Sequence, residues 1–281
     1  MLANFYAFRG FGATIRIRAP EWVTLDRLVP YLARELTEAP VVEGPAEVSL
    51  VPTRQGYRIE IGERWFGPYH DEDGGLRGIA SGLHYMLARQ SPMTFIHAGA
   101  VEIDGRAFVF PGSSGYGKSV LVTRLVEAGC GYLSDEWAVI SPEGTVFPLS
   151  KPIRLRVPGG NSYVRPSGVS TPGGFPCAAF VFTKFVQDAR WDPRPISPGQ
   201  AVLRSIPEVV RCSDASQQTL EALTRATSGA VCIRSRRGED EPTPATLREL
   251  AGTPNRSRVE CSTPSSLTPN VLDGRAKEAV R

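Results

Sequence analysis

The stretch Phe108-Val-Phe-Pro-Gly-Ser-Ser-Gly-Tyr-Gly-Lys-Ser119 constrains this chain more than any other. An apolar run, Ala107 to Phe110, stops at Pro111. A loop carrying Gly112, Gly115 and Gly117 follows, and Lys118-Ser119 opens a segment of helical spacing, Val120 to Glu127. Strand, loop and helix in that order, with G-x-x-x-x-G-K-S between them, make a phosphate loop. A triphosphate is held by inward-pointing backbone N–H groups, and a chain wraps that closely only where side chains are missing. The helix start adds unpaired N–H groups and the positive end of its dipole. The expected nucleotide contacts are therefore Gly112, Ser113, Ser114, Gly115, Tyr116, Gly117, Lys118 and Ser119. Lys118 can reach the β- and γ-phosphates, and the Ser119 hydroxyl can ligate Mg²⁺.

Such a loop binds, but phosphoryl transfer also needs a carboxylate facing it. The strand after the loop's helix is expected to return beside the strand that feeds the loop, so that both C-terminal ends open on one crevice. Asp135 and Glu136 stand at that end, directly after Gly131-Tyr-Leu-Ser134. One can hold Mg²⁺ with Ser119, and one can accept the proton of an attacking hydroxyl.

The rest of the chain predicts an α/β fold. Residues 1–90 form a small N-terminal α/β unit, 91–251 the core with the phosphate loop, and 252–281 a tail too polar to order. In the first unit, Thr14 to Arg18 alternates as a strand, and Thr24 caps a helix running through Leu36 to Pro40. A hairpin joins Val48–Val51 to Tyr57–Ile61, and a second helix runs from Gly74 to before Pro92. His70 and His84 read as ordinary surface or packing residues. In the core, Asp104-Gly105 joins two strands, Ser197-Pro-Gly-Gln200 starts a helix, and Asp214 to Ser228 is another. A strand at Ala230–Ile233 and a short helix from Thr243-Pro244 follow. Residues 158–177 are too rich in glycine and proline for regular structure, and 234–241 read as a solvated loop.

Composition narrows the partners. A net charge of +3 without a basic, aromatic-laced stripe argues against nucleic acid. No apolar run nears the roughly 20 residues of a membrane span, and Met1 to Ala13 lacks signal-peptide features. Five cysteines without C-x-x-C spacing suit reduced thiols, hence the cytoplasm. The oligomeric state stays open, a homo-oligomer included.

The run His97-Ala-Gly-Ala-Val, the Asp104-Gly105 turn, Gly112 to Ser119, and Gly131-Tyr-Leu-Ser-Asp-Glu136 together resemble the core of bacterial HPr serine kinase/phosphorylase. They look closer still to divergent HPr-kinase-like proteins, some of which phosphorylate the precursor peptide in lasso-peptide biosynthesis. The resemblance covers about residues 93 to 156 in detail, Lys151-Pro-Ile-Arg-Leu155 included. It implies a P-loop kinase core related to phosphoenolpyruvate carboxykinase, with ATP and Mg²⁺ as cofactors and a serine-type hydroxyl of a peptide or protein as acceptor. By position it implies that Asp135 accepts the proton and His97 assists it. Lys118 serves the transferring phosphate, and Ser119, Asp135 and Glu136 hold the metal. Glu136 stands where the family has a second aspartate, and Pro148 to Gly168 holds no counterpart of the family's metal-binding glutamate. Two alternatives stand beside this reading: a small-molecule P-loop kinase, and a nucleotide-binding regulator with little turnover.

Overall fold

The alternation at Thr14–Arg18 extends both ways into a longer strand, because Ala13 and Ala19 continue the buried parity of Ile15 and Ile17. The computed structural model describes residues 3–157, 160–166, 168, 173–210 and 216–252. These form a mixed α/β protein with two large mixed sheets and one small hairpin. The first sheet contains β1 (Ala3–Gly10), β2 (Ala13–Pro20), β3 (Thr37–Ala39), β4 (Val48–Thr53), β5 (Gly56–Ile61) and β6 (Arg64–Tyr69). Their order is β3-β1-β2-β4-β5-β6, antiparallel except for the β2–β4 pair.

The helix expected from Thr24 through Leu36 does not form at that length. α1 (Leu25–Leu28) makes one turn, passes into a 3₁₀ turn at Val29–Tyr31, and the chain becomes extended at Leu32. Pro30 has no N–H to continue the ladder. The leucines instead bury as an irregular segment, and residues 37–39 leave to pair with β1. The next helix, α2 (Glu72–Gln90), starts two residues before its expected position because the Asp71 carboxylate caps it, accepting the Gly74 N–H at 2.6 Å. Its Leu76, Ile79, Leu83 and Leu87 pack on Ile15, Ile17, Val48 and Ile59 of the sheet. The approach is close: a Cβ on Gly82 would lie 2.8 Å from Val48.

In the second sheet, β7 (Thr94–Ile103) and β8 (Arg106–Pro111) form the Asp104-Gly105 hairpin. α3 (Lys118–Glu127) follows the loop. β9 (Gly131–Ser134) and β10 (Trp137–Ile140) then pair in succession with the far edge of β7, and β11 (Val146–Phe147) adds to β10. This corrects the expected adjacency: β7 lies between β8 and β9. Two antiparallel steps restore the original direction, so β8 and β9 still open at the same edge.

A second correction concerns 158–177. β12 (Ile153–Val157) and β13 (Gly160–Val164) make a hairpin where irregular chain was expected. The alternation of Ile153 and Leu155 supplies a partner strand that the glycine-rich stretch does not reveal by itself. Residues 158, 159, 167 and 169–172 of that stretch lie outside the described residues.

β14 (Cys177–Phe185) follows, then β15 (Arg194–Pro195) and α4 (Pro198–Ser205), with the expected capping box between Ser197 and Gln200. A 3₁₀ turn at Ile206–Glu208, α5 (Ser216–Ser228), β16 (Val231–Arg237) and α6 (Pro244–Gly252) complete the described chain. The expected loop 234–241 is therefore strand as far as Arg237, whose side chain is buried.

The second sheet runs β11-β10-β7-β8-β14-β16-β15, with β14 parallel to both β8 and β16. Period-two alternation sends Phe108 and Phe110 of β8 toward α3, and Ala107 and Val109 toward α4 and α5. The result is a sheet between two helical layers. Ala33, Ala88, Phe95, Val139 and Leu149 join the two sheets in one apolar cluster. Beside it, the Glu35 carboxylate accepts from the Ser150 N–H at 2.8 Å and the Ser150 hydroxyl at 2.6 Å. Cys130, Cys177 and Cys232 are buried and unpaired. Cys212, Cys261 and the expected tail from 253 lie outside the described residues. Among the described residues no helix is long and apolar enough to cross a membrane.

Candidate functional site

The end of β8 delivers Pro111 and Gly112 to the edge of the sheet, where the Gly112 N–H bonds the His97 carbonyl at 3.1 Å. Gly115 and Gly117 take φ of 89° and 80°, a region that side chains avoid. Gly117 occupies the N-cap of α3 without any side-chain cap, so the first-turn N–H groups stay available to an anion. Gly99 lets β7 approach that helix, since a Cβ there would meet Val122 at 2.7 Å.

Lys118 is 7 % exposed and curls back over its own loop, donating to the carbonyls of Gly112 at 2.5 Å and Ser113 at 3.0 Å. Burial lowers its pKa, opposed by the carboxylates of Glu208, Asp135 and Glu136. The Ser119 hydroxyl donates to Asp135 Oδ2 at 2.9 Å. Asp135 Oδ1 lies 3.1 Å from the Tyr132 hydroxyl, whose single proton is shared with the Lys151 carbonyl at 2.9 Å. Burial raises the Asp135 pKa, against the lowering pull of the Lys151 charge.

The two adjacent acids thus part company. Lys151 pairs with Glu136 and holds it down to about 2, although that side chain is 45 % exposed and solvent weakens the attraction. Lys151 also sits 4.8 Å over the Trp137 ring. Asp135 is the acid joined to the phosphate loop, while Glu136 faces a lysine.

His97, on β7, has Nδ1 3.5 Å from Glu208 Oε2. Burial and the nearby Lys118 charge lower its pKa, which keeps the ring neutral near pH 7. Glu208, from the 3₁₀ turn after α4, also accepts from the Ser113 hydroxyl at 2.8 Å. Sequence reasoning missed Glu208, and no spacing or motif marks it.

Of these groups, His97, Lys118, Ser119, Asp135, Glu136 and Lys151 border a cavity of about 500 Å³, with Glu208 and Tyr132 set behind them. One wall consists of Ser114, Gly115 and Gly117 to Val120 of the loop and the start of α3, with Asp135 and Glu136. The other comes from distant chain: Tyr31, Arg77, Ser81 and His84 of the first sheet's unit, with Arg154 and Tyr163 of the small hairpin. Arg77, Ala80, Ser81 and His84 recur at helical spacing on α2, a signal that was readable in the sequence but carried no address. His84 is not a free ligand. Its Nε2 accepts the Ala33 N–H at 3.1 Å, and burial, with the Lys151 charge, pushes its pKa down to about 3.

The donors suit Mg²⁺. Ser119 and Asp135 offer two hard oxygens side by side, and Mg²⁺ uses one or two side chains and completes its shell with phosphate and water. Among the described residues no three His, Cys, Asp or Glu gather into a metal cage. No protein-family model matches this chain, and no curated protein matches it in sequence.

Proposed function

We propose that this chain is an ATP- and Mg²⁺-dependent kinase with a P-loop core of the HPr kinase and phosphoenolpyruvate carboxykinase type, acting on a serine-type hydroxyl of a peptide or protein. The observation that carries the reading is the 2.9 Å contact between Ser119 of the phosphate loop and Asp135, both bordering the cavity that contains Lys118. A biosynthetic precursor peptide of the lasso type is the favoured acceptor, on the resemblance of His97 to Ser119 and Gly131 to Glu136.

In this reading the amides of Gly115 to Ser119 bind the phosphate oxygens. Lys118 exchanges its loop carbonyls for the γ-phosphate. Ser119 and Asp135 would hold Mg²⁺, which when bound neutralises phosphate charge. The acceptor oxygen attacks the γ-phosphorus in line while the bond to the β-phosphate oxygen breaks, and the hydroxyl proton passes to Asp135. Neutral His97, steadied by Glu208, adds no positive charge beside Lys118 and can take part in relaying the proton. The far wall, with Tyr31, Arg77 and Tyr163, receives the acceptor.

Incubation with MgATP and serine-containing peptides, followed by mass spectrometry, should reveal the gain of one phosphate. Asp135→Asn should abolish that gain and keep nucleotide binding. Transfer by Asp135→Asn at close to the wild-type rate sinks the proposal. The cavity, walled on two sides, also suits a compact acceptor, and transfer to a hydroxylated metabolite but to no peptide would favour the small-molecule kinase.

A further inference from the structure

Behind the phosphate loop, on the side away from the cavity, β16 ends in Arg237, whose side chain is 1 % exposed. Nη2 donates to the Gly117 carbonyl at 2.7 Å and lies 3.4 Å from the Tyr116 carbonyl. Nη1 pairs with Glu241 at 3.1 Å, and Glu241 also holds Arg124 of α3 at 2.6 Å. The buried Nε has no partner among the described residues. A Cβ on Gly117 would lie 2.7 Å from Nη2, so the guanidinium and the loop are in direct contact. A charged group this deep is costly unless fully paired. One that leaves a donor unsatisfied while gripping two loop carbonyls calls for a reason beyond packing.

We propose that Arg237 is a positioning residue of the nucleotide site, holding two peptide planes of the loop so that their N–H groups face the phosphates. The proposal rests on the nucleotide reading above. In a trans peptide the C=O and N–H point opposite ways. Drawing the carbonyls of Tyr116 and Gly117 back toward β16 turns the amides of Gly117 and Lys118 the other way, toward the cavity that both residues line. Gly117 at φ 80° has no side chain to fix its planes. Each carbonyl has a second donor, Phe185 N–H on Tyr116 at 3.2 Å and Leu121 N–H on Gly117 at 3.1 Å. Arg237 is the group that spans both. Glu241 anchors it and ties the brace to α3 through Arg124.

Calorimetric titration of MgATP into the wild type, Lys118→Ala, Arg237→Gln and Arg237→Lys, with thermal unfolding of each, tests this. The Gln variant should weaken MgATP binding roughly tenfold, the scale of losing a charge-assisted hydrogen bond. The Lys variant, a point donor able to serve one carbonyl, should fall between it and the wild type. A purely structural role lowers the melting temperature and leaves the affinity of the folded protein alone. Affinity in folded Arg237→Gln within about twofold of wild type therefore overturns the proposal. Should the Gln variant not fold, the Lys variant decides on the same terms: weakened binding supports the brace and wild-type affinity overturns it. Wild-type binding that Lys118→Ala loses but Arg237→Gln keeps sinks this inference alone. Absence of MgATP binding by the wild type sinks the nucleotide reading and the brace together.

Discussion

The two walls of the cavity are built on different principles. The loop wall, lined by Ser114, Gly115 and Gly117 to Val120, is shaped by glycine and held from behind by β14 and β16. The facing wall is side chain, drawn from Tyr31, Arg77, His84, Arg154 and Tyr163, residues that meet only because two sheets pack together. A group common to all nucleotides can be recognised by main-chain amides, whose geometry one short motif encodes. An acceptor is particular, and a surface assembled from scattered side chains is free to vary without disturbing the loop.

Substitutions on the two walls should therefore separate. The largest expected effect is at Asp135, the joint between them: Asp135→Asn should lower phosphate transfer by about 10²–10⁴-fold, with MgATP affinity little changed in calorimetry. Burial raises the Asp135 pKa, so in the Mg²⁺-free protein its carboxyl, followed by NMR, should titrate with an inflection above the ordinary carboxylate range. An inflection at or below the usual range would break the assignment.

Next in size is an acid effect at the seam. His84 has a pKa of about 3 in the fold against 6.5 unfolded, so between those values the unfolded chain binds a proton that the native one refuses. Stability from this residue is intact above pH 6.5 and declines as pH falls toward 3, by on the order of 4–5 kcal/mol. Denaturant unfolding across that range should show the slope, and His84→Gln should flatten it. Lys118→Ala follows, with MgATP affinity reduced by about 10–100-fold, the loss of a buried cation at the phosphates.

The smallest effect sharpens the contrast most. Arg77 pairs with Asp73 and sits 5.2 Å over the Tyr163 ring, across the cavity from the loop. Arg77→Ala should shift stability by no more than about 1 kcal/mol and leave MgATP affinity unchanged, yet raise the KM for the acceptor. Equal damage to nucleotide binding would erase the distinction between the walls.

Legibility followed the same line. The hairpin at Asp104-Gly105, the loop, α3, the Ser197 capping box and the acids after β9 were all readable, because each depends on interactions among residues close in sequence. The reading failed where distant chain decides the outcome. Leucine spacing at 25–36 suggested a helix that Pro30 interrupts and the first sheet absorbs. The run Arg234 to Arg237 looked solvated because four polar residues hide a parity, Val231, Ile233, Ser235, Arg237, that matters only beside β14. Glu208 carried no mark at all.

By itself, the sequence determined a glycine-rich loop between a strand and a helix, a lysine and a hydroxyl at the head of that helix, and an acidic pair downstream, since local geometry and residue type suffice for these. Only the tertiary structure decided which acid of the pair meets Ser119 and which is taken by Lys151, that an arginine reaches two loop carbonyls from behind, and that residues of the first unit line the cavity. Those outcomes depend on strand order and on the packing of two sheets, and long-range contacts of that kind leave no periodic trace in the chain.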